Sequence, residues 1–181
     1  VSVTRQMFLA NYPIWAKLVA LRGELWTGNP DQTRRRQISK RAIKVIKGRA
    51  TPLSFNTLGD TMLGYLVTNF DFAVIKAFFR QFGKRKDFEI DQRDNDEETG
   101  WTPLMECVFR GDVPDRLPKV ELFMKFGACP LVKDLEDGHT ALHLAVQRGD
   151  VEVLKLLLKP IEGLSEEEAR EKYSVKGKGK G

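Results

Sequence analysis

The chain has 181 residues, 41% of them hydrophobic and 30% charged, with a formal net charge of +5. That balance supports one domain with a continuous core and is too polar for an integral membrane protein. The longest apolar region, Met7 to Trp26, is broken by Lys17, Arg22 and Glu24 and does not span a bilayer. Two cysteines, Cys107 and Cys129, cannot form a disulfide framework and read as free thiols. They point to an intracellular, reducing compartment without separating cytosol, nucleus and organelle interior.

The first residue is Val rather than Met, so the sequence is expected to be a fragment or a form that has lost a leader. In chain order, a first helix is expected from about Pro13 to Arg22, with Trp15, Leu18 and Val19 on one side, preceded by Phe8 and Tyr12 and ended by Gly23. Its aromatic residues need a surface to cover them. They can cap the end of a helical array, serve as partner-binding anchors through Trp15 and Trp26, or do both.

A second helix is expected to follow the capping residue Asp31 and run from about Thr33 to Lys47, before Gly48. Ile38, Ala42, Val45 and Ile46 form its narrow apolar stripe. Arg34, Arg35, Arg36, Lys40, Arg41, Lys44 and Lys47 occupy most other positions, with Arg49 just beyond. Carboxylates that would pair with these cations at i,i+4 are missing, so like charges crowd one element. An anionic surface would relieve them: RNA or DNA backbone, an acidic protein, or anionic lipid, the last disfavoured by the narrow aliphatic stripe.

Three similar segments follow. The clearest is Gly138-His139-Thr140-Ala141-Leu142-His143-Leu144-Ala145, then Gly149-Asp150, then Val153-Leu154-Lys155-Leu156-Leu157-Leu158. Thr140 stands where a short helix would begin and Gly149 where it would stop. A second helix would then bury Val153, Leu154, Leu157 and Leu158. Upstream, Gly100-Trp101-Thr102-Pro103-Leu104-Met105-Glu106-Cys107-Val108, Gly111-Asp112 and Val120-Glu121-Leu122-Phe123-Met124 keep the same order of parts. The extra length lies mostly at Val113 to Pro118, where two prolines predict a loop. A more divergent copy is Gly59-Asp60-Thr61-Met62-Leu63-Gly64-Tyr65-Leu66-Val67, Phe70-Asp71, and Val74 to Phe79. Met62, Gly64 and Phe70 depart from the shared pattern, which predicts a less regular inner helix there. Thr51-Pro52-Leu53 looks like another start but leaves no room for a helix pair and is read as a chance match.

These segments closely resemble ankyrin repeats. The resemblance implies an all-α solenoid of helix pairs joined by β-hairpin-like linking loops, covering residues 59–160 as repeats 59–99, 100–137 and 138–160. Residues 1–58 would then be a basic N-terminal helical cap, and residues 161–181 a short helix with a flexible basic tail. That helix should open with a capping box at Ser165-Glu166-Glu167-Glu168, reach about Tyr173 and cover the C-terminal end of the solenoid. Leu142, Ala145, Leu154 and Leu157 are expected in the core.

Charge separates the two ends. Residues 1–58 hold 11 Lys/Arg against 2 Asp/Glu, and residues 59–160 hold 14 against 18. Ankyrin linking loops form fingers beside a concave binding face, and here they carry Asp91, Asp94, Asp96, Glu97 and Glu98, then Asp134, Glu136 and Asp137. The expected protein-binding residues are therefore Asp94, Asp96, Glu97, Glu98, Trp101, Lys133, Glu136 and Asp137. The expected polyanion-binding residues are Arg34, Arg35, Arg36, Lys40, Arg41, Lys44 and Lys47.

Catalytic chemistry is harder to find. His139 and His143 have the spacing of two metal ligands on a helix but no carboxylate between them, and the resemblance gives His143 a structural role. No calcium loop follows Asp96 to Glu98, and Gly177 to Gly181 lacks the spacing of a phosphate loop. No catalytic, cofactor or metal residues are assigned, and an enzyme is not expected. The expected function is a non-catalytic protein–protein interaction adaptor or structural subunit of a larger assembly. The alternative is a nucleic-acid-associated accessory protein, such as a ribonucleoprotein component, bound through residues 34–49.

Overall fold

A computed structural model describes residues 3–27, 30–48, 55–56, 58–95, 99–110 and 115–172. Among them are helices α1 (Val3–Trp26), α2 (Gln32–Ile46), α3 (Met62–Asn69), α4 (Phe72–Phe82), α5 (Pro103–Phe109), α6 (Arg116–Lys125), α7 (Ala141–Gln147), α8 (Val151–Leu158) and α9 (Glu166–Lys172). They form two rows. The inner row runs α3, α5, α7 and the outer row α2, α4, α6, α8, each helix packing on its row neighbours and on its own pair partner. The helix pair α1–α2 continues the stack at its N-terminal end, with the indole of Trp15 edge-on to the Tyr65 ring of α3 at 5.3 Å.

Each inner helix begins at a threonine in extended backbone. Thr61 and Thr102 accept from the backbone N–H three residues on, Gly64 at 3.0 Å and Met105 at 3.3 Å. In α7 the same turn is closed from the other side, because His143 Nδ1 accepts from the Thr140 N–H at 3.1 Å. His143 thus secures the start of its own helix. Met105 Sδ does the corresponding job in α5, accepting from the Thr102 N–H at 3.5 Å. In the divergent repeat Gly64 has no side chain to reach back, yet α3 is a regular helix of 8 residues, contrary to the expected irregularity. Full burial of Met62, Leu66, Val67 and Phe70 holds it in place.

The outer row is tied by the Asp residues that precede its helices. Asp71 Oδ1 accepts from the Val74 N–H at the start of α4, and Asp71 Oδ2 accepts from the Ser39 hydroxyl of α2 at 2.5 Å. Asp150 likewise accepts from the Val153 N–H and pairs with Arg116 of α6 at 2.8 Å. Between these two, Asp115 accepts from the Phe72 N–H at 3.3 Å. Asp71 and Asp150 therefore each cap their own helix and grip a neighbour, while Asp115 makes the inter-repeat contact without a side-chain cap bond to α6.

Several expectations need correction. The first helix does not start at Pro13 or stop at Gly23: α1 begins at Val3 and ends at Trp26, with both residues inside it. Pro13 removes a single donor from the ladder, and Gly23 merely lacks a side chain. Thr27 closes the end by donating its N–H and hydroxyl to the Gly23 carbonyl. The insertion is not a loop as far as Pro118. Helix α6 starts at Arg116, and Pro118 sits in its first turn, where no intrahelical donor is needed. Asp115, at φ 60°, makes the sharp entry into that helix.

Leu142 and Leu154 are only half-buried, whereas Ala145 and Leu157 are fully buried. The core of the last pair is completed by Ala141, Leu144 and Val153. The capping box before α9 is present, with Glu168 Oε2 accepting from the Ser165 N–H and Ser165 Oγ from the Glu168 N–H. Even so, α9 does not cover the C-terminal face, and Val146 remains 63% exposed beside exposed Leu158. A helix with the sequence Glu-Glu-Glu-Ala-Arg-Glu-Lys has no apolar stripe with which to do so. Tyr173 and the tail lie outside the described residues.

Cys107 and Cys129 are free and buried. Burial pushes the Cys107 thiol up to about 12 and raises Cys129 as well, so neither is an activated nucleophile. Among the described residues no helix is long and apolar enough to cross a membrane.

Candidate protein-binding groove and basic helix

The linking segments form stacked fingers. Phe55 and Thr61 pair as an antiparallel bridge in the first, Asp94 N–H donates to Trp101 O in the second, and Asp134 N–H donates to His139 O in the third. Adjacent fingers are joined edge to edge: Asn95 N–H donates to Gly59 O at 2.8 Å and Leu135 N–H to Thr99 O at 2.9 Å. Glycine is needed at these junctions. A Cβ on Gly100, already at φ 53°, would lie 2.5 Å from Leu135 Cδ1. Arg93 completes the clamp by donating to the carbonyls of Gly100 and Lys133.

Between the fingers and the inner helices runs a concave groove. One part of it encloses about 490 Å³ and is lined by Arg22 and Trp26 of α1, Leu58 and Asp60 of the first finger, Tyr65 and Asn69 of α3, Asp94 and Trp101 of the second finger, Glu106 of α5, and Arg110 just after that helix. A second hollow of about 380 Å³ continues past Trp101 to Phe109 and Arg148. The Trp101 ring meets Phe109 edge-on at 4.8 Å and forms the wall between the two hollows. Leu58 and Trp26, both large apolar side chains, are 81% and 68% exposed at the rim. The Arg22 guanidinium lies 5.3 Å over the Trp26 ring.

The expected protein-binding residues divide. Asp94 and Trp101 are half-buried and line both hollows. Lys133, Glu136 and Asp137 are exposed on the third finger, with Asp137 Oδ2 3.8 Å from His139 Nδ1. Asp96, Glu97 and Glu98 lie outside the described residues. Asp91 is not a finger-tip acid. Both its carboxylate oxygens accept from the Cys129 N–H at 3.1 Å, and burial pushes its carboxyl up to about 6. Asp134 is also turned inward, accepting from the N–H groups of Asp137 and His139.

Sequence reasoning missed Leu58, Asp60, Tyr65, Glu106 and Arg110. Glu106 is buried and pairs with Arg110, whose guanidinium it holds above its usual range. The available signal was register: Tyr65 and Glu106 stand on the inner helices and Arg110 at the end of one, where the repeat pattern puts the concave face.

All seven expected polyanion-binding residues, Arg34, Arg35, Arg36, Lys40, Arg41, Lys44 and Lys47, are exposed on α2. Asp31 Oδ1 accepts from the Arg34 N–H and begins the helix. Ile38, Ala42 and Ile46 are buried beneath it, while Val45 is half-buried. Arg41 pairs with Glu24 at 2.7 Å, and Arg35 Nε donates to the Pro30 carbonyl. The other five have no carboxylate within ion-pair distance among the described residues.

His139 and His143 lie with rings 5.5 Å apart, and His143 Nδ1 is taken up by Thr140. Among the described residues no group of three or more His, Cys, Asp or Glu is arranged to hold a metal ion.

Paired helices in two rows, threonine-started inner helices and stacked fingers define an ankyrin-type solenoid. The family model described as "Ankyrin repeats (3 copies)" matches residues 50–166, and the chain belongs to the ankyrin repeat family. Over 66 residues the chain is 46% identical to Inversin of Danio rerio and 41% identical to Inversin of Homo sapiens. These matches cover 36% of this chain and only 6% of Inversin, so the chain spans a small part of the length of these relatives. A crystal structure of the ankyrin repeat protein EF0377 aligns with a TM-score of 0.42 at 19% identity, covering 68% of this chain and 76% of that one. Ankyrin repeats generally mediate protein–protein interaction, and the family is typically non-enzymatic.

Proposed function

We propose that this protein is a non-catalytic adaptor or structural subunit that holds a protein partner in its concave groove and an anionic partner on α2. The observation that carries the first half is the groove itself. Exposed Leu58 and Trp26 stand beside a hollow lined by Tyr65 and Trp101 and by the acids Asp60 and Asp94, so apolar anchoring and charge selection meet in one place. The exposed acids Glu136 and Asp137 on the third finger favour a partner segment carrying basic residues.

The test is recovery of the intact protein with whatever co-purifies, in parallel with a Trp26→Ser/Leu58→Ser variant. Both side chains are exposed, so the variant should fold. A protein partner held by the parent and lost from the variant supports the groove; equal recovery from both removes it.

A second reading, a nucleic-acid-associated accessory protein, draws support from the exposed cations Arg34, Arg36, Lys40 and Lys47. Phosphate contacts give a steep salt dependence. RNA binding that falls steeply with salt and disappears in an Arg34→Gln/Arg36→Gln/Lys40→Gln variant would favour this reading over an acidic protein.

A further inference from the structure

We infer that the cleft between α1 and α2 is a docking site for an acidic amphipathic α-helix of a protein partner. This rests on the reading of α2 as an anion-binding element and adds the shape and chemistry of the anion. Helix α1 uses its sides differently. By helical register, Trp15, Arg22 and Trp26 turn toward α3 and the groove, and Leu18 is fully buried. Ile14 and Leu21 lean toward α2 and, with Pro13, Lys17 and Ala20, form one wall of a separate cleft. Arg41, Lys44 and Val45 of α2 form the other wall, and the space between encloses about 720 Å³.

The floor of this cleft is aliphatic and its rim is cationic on both sides. Lys17 stands on the α1 rim and Lys44 on the α2 rim, both exposed and neither within ion-pair distance of a carboxylate among the described residues. Arg41 beside them is already engaged by Glu24. A nucleic acid could answer the cations but would find no aromatic side chain for its bases among the described residues that line the cleft, leaving the aliphatic floor uncovered. A bilayer would meet a floor recessed behind its charged rims. An α-helix is about 10 Å across and fits a groove between two others. Apolar residues at i, i+4 and i+7 would cover the floor, and carboxylates on both flanks would reach Lys17 and Lys44.

The test uses the full chain and four probes: a helix-forming peptide of about 20 residues with Leu at i, i+4, i+7 and Glu on both flanks, its Lys-for-Glu counterpart, oligouridylate RNA, and phosphatidylserine-containing vesicles. The Glu-flanked peptide is expected to bind and to shift the methyl resonances of Ile14, Leu21 and Val45. Lys17→Glu/Lys44→Glu should weaken it about tenfold or more and confer binding of the Lys-flanked peptide. Lys17→Gln/Lys44→Gln should weaken the first without gaining the second, and thermal melts of both variants should match the parent. Peptide binding that leaves those methyls unmoved, or that ignores the charge reversal, overturns the proposal. RNA or vesicle binding that depends on Lys17 and Lys44, with no peptide binding, also overturns it while leaving α2 an anion-binding element. Absence of binding by all four probes removes both readings.

Discussion

The ammonium group of Lys119, at the start of α6, donates to the Phe70 carbonyl at 2.5 Å and to the Val67 carbonyl at 2.9 Å, closing the C-terminal end of helix α3 from a different repeat. The side chain is fully buried. Helix α3 ends with carbonyls that have no intrahelical donors, and Lys119 answers two of them with a charge that also suits the negative end of the helix dipole. Phe70 stands where the other repeats have a helix-ending glycine, so the divergent repeat is completed by its neighbour.

Lys119→Met keeps the volume and removes the donors. It is expected to cost roughly 1–3 kcal/mol, because two buried carbonyls lose their partner. Urea unfolding at pH 7 measures this, and a variant as stable as the parent would show that the two bonds contribute nothing net.

The same lysine gives a signed pH dependence. Burial lowers its folded pKa from 10.5 to about 8. Between about pH 8 and 10.5 the unfolded chain therefore binds more protons than the folded one, and this group's contribution makes the protein more stable as pH rises through that window. The stability difference between the parent and Lys119→Met should grow from pH 7.5 to 10.5. A flat or shrinking difference would contradict burial of the charged form.

Asp91 shows the opposite sign. Its folded pKa of about 6 lies above the ordinary 3.8, so the cost of the buried carboxylate is fully present above about pH 6 and is relieved as pH falls toward 3.8. Asp91→Asn keeps an acceptor for the Cys129 N–H without the charge. It should raise stability at pH 7 by about 1–3 kcal/mol and have little effect near pH 4. Chemical denaturation at the two pH values tests this; destabilisation at pH 7 would mean that the anion's bonds to Cys129 outweigh its burial.

Core substitutions in the last repeat should follow burial rather than motif. Leu157 is fully buried, and Leu157→Ala should cost about 2–5 kcal/mol; Leu142 is half-exposed, and Leu142→Ala should cost less than about 2. Thermal melts that reverse this order would show that the C-terminal face is covered in solution.

Deleting residues 115–118 should unfold the array, since it removes the entry turn at Asp115, the Arg116–Asp150 ion pair and the first turn of α6. With so few repeats, the loss of one interface propagates to the rest. A cooperative transition near that of the parent, followed by circular dichroism, would show that α6 can start later.

Helix pairs, their starts at Thr61, Thr102 and Thr140, and the basic stripe of α2 were legible in the sequence, because each follows from local periodicity, capping chemistry or simple charge. Position along a helix is likewise a local property, so Ile38, Ala42 and Ile46 were recognisable as the buried face of α2. What neighbours do to each other was not legible. Leu142 and Leu104 occupy the same place in their motifs, yet Leu104 is buried and Leu142 is partly open, because only one of them has another repeat stacked beyond it. Asp91 reads as a surface acid until the fold brings the Cys129 N–H against it, and Lys119 reads as a solvated lysine until α3 ends above it. The groove between Trp26 and Trp101 joins side chains from α1, two fingers and two inner helices. Desolvation, long-range capping and cavity shape arise from groups far apart in the chain, and these the tertiary structure alone decided.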